Sequence, residues 1–180
     1  WERWVLGWAD IPEVDLGDPA FEAVVGQAAI TPSGAEEGIR VNLPDQEIAV
    51  TSPPQGQKMW WGGQGHQMDN SRTRTDMSLA GKSPPITMTF KTWTDIEPDW
   101  DYGYTQVSTD SGQTWTSLDD TGGLTTNDDP NEQNRGNGIT GVNDWTTAEF
   151  DLSAYAGQTI ALRFRYWTDL AVAGKGWFID

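Results

Sequence analysis

The sequence predicts an all-β protein, a jelly-roll-type β-sandwich with a short N-terminal helical segment. Three observations point there. Several short segments alternate apolar and polar residues with a period of two, as strands with one buried face do. Turn-forming residues separate these segments, with 20 Gly and 10 Pro in 180 residues. Helical spacing is confined to the first few residues. Many short strands, long polar connections and little helix fit a sandwich rather than an α/β fold.

Taken in order, Trp1, Trp4 and Trp8 recur at i, i+3 and i+7, which places them on one face of a helix. Gly7 is a poor mid-helix residue and favours an end there. Residues 1–15 therefore read as the tail of an upstream domain or a linker helix, and residues 16–180 as the sandwich. Phe21 to Ile30 is a β-like run; Ile39, Val41 and Leu43 then alternate with Arg40 and Asn42, and Ile48 and Val50 open another run. Pro53-Pro54 stops regular pairing. Trp60-Trp61 lead into a glycine-rich loop ending at His66; in a strand the two indoles face opposite sides. Ile86, Met88 and Phe90 alternate with Thr87, Thr89 and Lys91, and Tyr102 and Tyr104 with Gly103 and Thr105. Ile160, Leu162, Phe164 and Tyr166 alternate with Ala161, Arg163, Arg165 and Trp167. Trp177 to Asp180 reads as a last strand, which could serve as an exposed pairing edge. Asp119 to Val142 exceeds ordinary loop length and is expected to be functional or partly mobile.

A content of 36% hydrophobic residues with 11 Trp is too apolar for a disordered chain. The net charge of −16 repels nucleic acid and anionic membranes and attracts divalent cations. With no cysteine there is neither a disulfide scaffold nor a thiolate zinc site. Apolar runs fall short of the roughly 18 residues a membrane helix needs, so no membrane insertion is expected. His66 is the sole histidine, so a His-Glu-x-x-His zinc motif cannot be built from this chain. No catalytic centre is expected in it.

The strongest candidate site is Asp95-Ile96-Glu97-Pro98-Asp99-Trp100-Asp101. Four acids at alternating positions share one face of an extended segment and repel unless solvated or bridged by a cation. Calcium takes six to eight oxygen ligands and suits such a set. Asp69, Asp169 and Asp180 are candidates to add oxygens where the fold brings them near. The predicted metal ligands are thus Asp69, Asp95, Glu97, Asp99, Asp101, Asp169 and Asp180; a solvated acidic loop is the plainer alternative. Ser108-Thr-Asp110-Ser-Gly112-Gln-Thr114-Trp115 fits the Asp-box pattern. Its aspartate accepts turn N–H groups, its glycine takes positive φ and its tryptophan packs beneath, so it predicts a structural hairpin. Trp100 and Trp167 fall in a loop or on the less apolar phase and are candidate platforms for a sugar ring.

Several stretches resemble one family in order and spacing. Trp60-Trp-Gly-Gly-Gln-Gly-His-Gln-Met-Asp69-Asn-Ser-Arg72 and Thr92-Trp-Thr-Asp95-Ile-Glu97-Pro-Asp-Trp-Asp101-Tyr-Gly-Tyr104 are similar to segments of the immune inhibitor A-type (M6) metallopeptidases. Phe150 to Gly157, Leu162 to Tyr166 and Val172 to Asp180 continue the match. Trp1 to Trp8 resembles the segment that closes the family's catalytic domain. The resemblance implies the non-catalytic, MAM-like sandwich that follows that domain in a secreted zinc peptidase. Zinc would belong to the upstream domain only, and that domain would be a partner. Calcium in the sandwich is expected, as is an extracellular or cell-surface location. Two other roles stay open: a jelly roll that binds carbohydrate or glycoprotein, and a subunit of a surface assembly.

Overall fold

The computed structural model describes residues 49–180. The expected N-terminal helix, the boundary at residue 15, and the strands between Phe21 and Leu43 lie outside the described residues. Eight strands follow: β1 (Trp60–Trp61), β2 (Asp69–Ser78), β3 (Thr87–Asp95), β4 (Tyr102–Ser108), β5 (Thr116–Ser117), β6 (Val142–Asp151), β7 (Thr159–Trp167) and β8 (Gly176–Ile179). A single 3₁₀ turn, Ser153–Tyr155, joins β6 to β7.

The strands form two antiparallel sheets, in the orders β1-β8-β3-β6 and β2-β7-β4-β5. First pairs with last, second with seventh, third with sixth and fourth with fifth. That is a long hairpin rolled up across two sheets, the jelly roll expected from the sequence. β8 lies between β1 and β3, so the final strand is interior to its sheet and not a pairing edge.

Alternation works as the sequence implies. Ile160, Leu162, Phe164 and Tyr166 of β7 belong to the core side, with Phe150 and Ala148 of β6 and Phe90 of β3. Phe90 ties the two ends of the core together, stacked on Phe150 at 5.6 Å and edge-on to Phe164 at 4.9 Å. Trp60 turns inward, its ring edge-on to Trp177 at 5.7 Å, while Trp61 is 49% exposed and stacks on Phe178. Trp177 is fully buried under Gly103, where a side chain on residue 103 would meet the indole at 2.7 Å. Glycine at that position lets the facing sheet close over the largest core side chain.

β4 departs from its pattern. Tyr102 and Tyr104 point away from the core side, yet every residue of β4 is buried. Their cover is the long Asp119–Val142 segment. Ile139 exchanges backbone hydrogen bonds with Gly103, and the Arg135 N–H donates to Tyr104 Oη at 3.0 Å. Asn127, Asn134 and Asn137 cross-link the segment internally, and Thr126 pairs with Gly138. The segment is long because it forms a third layer over half of one sheet. The Asp-box hairpin between β4 and β5 has the expected geometry. Asp110 Oδ1 accepts from the N–H groups of Gln113 and Thr114, Gly112 has φ +87°, and the Trp115 ring packs against Arg163 at 4.1 Å.

Candidate metal centre

The jelly roll brings the β3–β4 connection beside the end of β7, because Tyr102 at the start of β4 pairs with Trp167 at the end of β7. Two loops carrying acids thereby meet at one end of the sandwich. Glu97, Asp101 and Asp169 each present a carboxylate oxygen there, all within 4.8 Å of one another. Two oxygens on opposite sides of a calcium ion, each at about 2.4 Å, stand about that far apart.

Local hydrogen bonds fix this arrangement. The Asp101 N–H donates to the Glu97 carbonyl at 3.1 Å, closing one turn that brings the two residues together. The segment is thus a tight turn, with Asp99 at φ +64°, and not the extended run that the alternating acids suggested. Thr140 pins the turn from the long covering segment. Its hydroxyl lies 2.9 Å from the Asp101 carbonyl and 3.2 Å from that of Glu97, and it accepts from the Asp99 N–H. The Asp169 N–H donates to Asp101 Oδ1 at 2.9 Å. The glycine-rich loop braces the other side: the Gln67 N–H donates to the Asp169 carbonyl, and Thr168 Oγ1 accepts from the Met68 N–H.

Asp101 is fully buried. Its Oδ2 and Glu97 Oε2 are both buried without a hydrogen-bond partner among the described residues. A buried carboxylate oxygen without a donor is costly. Burial, together with the charges of Asp169 and Glu97, pushes Asp101 up to about 6 against the hydrogen bond from Asp169. Burial and the Asp169 charge also raise Glu97. The donor set is all carboxylate oxygen, which suits a hard divalent cation and not zinc, which favours nitrogen and sulfur.

The other acids proposed from the sequence are not brought to this cluster. Asp69, at the start of β2, holds Arg165 in a two-pronged ion pair at 2.7 Å per contact, which keeps its carboxyl below the usual range. Asp95 ends β3 paired to Gly176, and Asp99 follows Pro98 at the tip of the turn. Asp180 follows β8 at its far end, where its Oδ2 accepts from the Gln55 N–H. Trp100 and Trp167 come together. Both line a cleft of about 310 Å³ beside the cluster, with Gln67, Asp69, Gln133 and Asp169. Thr140, Gln67 and Gln133 escaped the sequence analysis. Nothing near them in sequence marks them, since each meets the site through contacts between distant loops.

Fold and site together define a jelly-roll module with its polar chemistry gathered at one loop end. The chain belongs to the Immune inhibitor A-like, MAM domain family, whose profile matches residues 23–180. It is 33% identical over 175 residues to the Pre-pro-metalloprotease PrtV of Vibrio cholerae serotype O1, covering 96% of this chain and 18% of PrtV. It is 28% identical over 178 residues to Immune inhibitor A of Bacillus thuringiensis subsp. alesti, covering 96% of this chain and 24% of that protein. Bacillopeptidase F of Bacillus subtilis matches at 33% over 101 residues, 56% of this chain and 6% of its own length. The chain therefore spans less than a quarter of each of these relatives.

Proposed function

We propose that this chain is the non-catalytic accessory β-sandwich of a secreted, zinc-dependent M6-type metallopeptidase, with residues 1–15 the end of the upstream catalytic domain. Calcium held by Glu97, Asp101 and Asp169 locks its loop end. The domain then supports the catalytic domain or its engagement of protein substrates outside the cell. Family membership and the metalloprotease relatives support the setting. The zinc chemistry belongs to the catalytic domain, and no step of it is assigned to residues of this chain.

One observation carries the calcium reading: Glu97 Oε2 and Asp101 Oδ2 are buried with no donor among the described residues, and both side chains belong to the cluster with Asp169. A cation supplies what they lack. At a free concentration of about 100 times its Kd, a single ion adds about 2.7 kcal/mol, or roughly 5–10 °C in Tm for a domain of this size. Thermal melts in EDTA and then in excess calcium test this. An unchanged Tm sinks the calcium reading. Asp101→Asn is expected to lose the calcium increment and yet melt no lower than the unsubstituted protein in EDTA, because it removes one of three mutually repelling acids. A variant that melts lower in EDTA would instead mark Asp101 as a purely structural carboxylate.

A further inference from the structure

We propose that the cleft beside the carboxylate cluster binds a neutral sugar ring, gripped between the indoles of Trp100 and Trp167. The inference stands beside the calcium reading and not on it, although Asp169 borders both sites.

The cleft has the composition that pyranose recognition needs. A sugar ring offers an apolar C–H face and a rim of hydroxyls, so it is held by flat aromatic surface and by planar polar side chains at fixed positions. Trp100 is 37% exposed at the rim. Trp167 extends from β7, its ring held on one side by the Arg135 guanidinium at 4.8 Å. Trp61, Trp115, Trp145 and Trp177 all donate their indole N–H to protein acceptors. Among the described residues Trp100 and Trp167 have no such acceptor, as is also true of Trp60 and Trp93, and of these four Trp100 and Trp167 line the cleft.

The polar lining is preset. Asp69 is clamped by Arg165 and keeps half of its side chain exposed, with acceptor capacity to spare. Gln133 is oriented by donating from Nε2 to the Asn131 carbonyl, which leaves its Oε1 as an acceptor. A hydroxyl-rich ligand can donate to both. A volume of about 310 Å³ lies at the small end of ligand clefts, which fits one ring with its neighbours outside.

Charge decides the class of sugar. No Lys or Arg is among the described residues that line the cleft; Arg165 is paired with Asp69, and Arg135 lies over Trp167. Two carboxylates border it. The net charge of −16 opposes an acidic sugar such as a sialic or uronic acid and leaves a neutral hexose unaffected.

The test is a titration of the full chain with lactose, maltose, cellobiose and mannobiose, followed by tryptophan fluorescence and calorimetry, in calcium and again in EDTA. Saturable binding of at least one neutral disaccharide is expected. Trp100→Ala and Trp167→Ala should each weaken it about tenfold, the loss of one stacking face, while leaving the calcium-dependent melt in place. Gln133→Ala, away from any strand, guards against a folding artefact and should weaken binding with no change in Tm. Absence of binding across the panel, binding unaffected by both tryptophan substitutions, or tighter binding of sialyllactose than of lactose would each overturn the proposal. Sugar binding without any calcium shift would sink the metal reading and leave this one standing; the reverse result would do the opposite.

Discussion

Asp110 shows how a surface carboxylate can organise a turn. It accepts from Gln113 and Thr114 N–H groups and from the hydroxyls of Thr114 and Ser108, and these bonds hold its carboxyl well below the usual aspartate range. A depressed folded pKa contributes stability above the unfolded value and loses it as pH falls toward the folded one. Asp110→Asn is therefore expected to be less stable than the unsubstituted protein at neutral pH. The gap should stay constant down to about pH 4 and close below it. Urea denaturation across that range reads it out, and a gap that widens in acid would contradict the assignment. The residue types of this hairpin and their offsets were fully legible in the sequence, because every hydrogen bond to the Asp110 carboxylate spans four residues or fewer. The carboxylate cluster was legible by half: Glu97 and Asp101 come from one short acidic turn, while Asp169 arrives from a loop 68 residues further on.

At the scale of elements, β3 carries two buried threonines, Thr92 and Thr94, and the first serves a core tryptophan. Thr92 Oγ1 accepts the Trp177 indole N–H at 2.7 Å and donates to the Phe178 carbonyl at 3.1 Å. The threonine satisfies a tryptophan that reaches the middle of the sandwich. Thr92→Val keeps the shape and strands that N–H, at an expected cost of about 1–3 kcal/mol. A lower urea midpoint at unchanged slope would confirm it; an unchanged midpoint would mean that the indole finds another acceptor. β7 was read correctly from period two, since its inner face meets the facing sheet directly. β4 was not. Its Tyr-Gly-Tyr-Thr alternation reads as half-buried, and only the packing of Asp119–Val142 over Tyr102 and Tyr104 makes it buried on both faces. A covering segment rich in Gly, Asn and Asp has no apolar period to advertise what it covers.

For the molecule as a whole, a net charge of −16 over 180 residues makes self-repulsion a general load on the folded state. Monovalent salt should raise the Tm in EDTA toward physiological strength, near 0.15 M, where the Debye length is about 8 Å. A calcium increment that persists at matched ionic strength would separate site binding from screening; an increment that vanishes would reduce calcium to a screening ion. The sequence by itself determined the all-β class, the alternation of β3 and β7, the Asp-box hairpin, the acidic character of one loop and the family. Each of these is written in residue spacing or in a contiguous motif. Tertiary structure alone decided which acids meet. Asp69 is taken up by Arg165 and Asp180 is carried to the far end of β8, while Asp169 joins Glu97 and Asp101 because β4 and β7 pair end to end. The same pairing sets Trp167 beside the turn that carries Trp100, giving one cleft from two unrelated tryptophans. Local spacing fixes which face a side chain takes, but only the order of strands in a rolled-up sheet fixes which loops share an end.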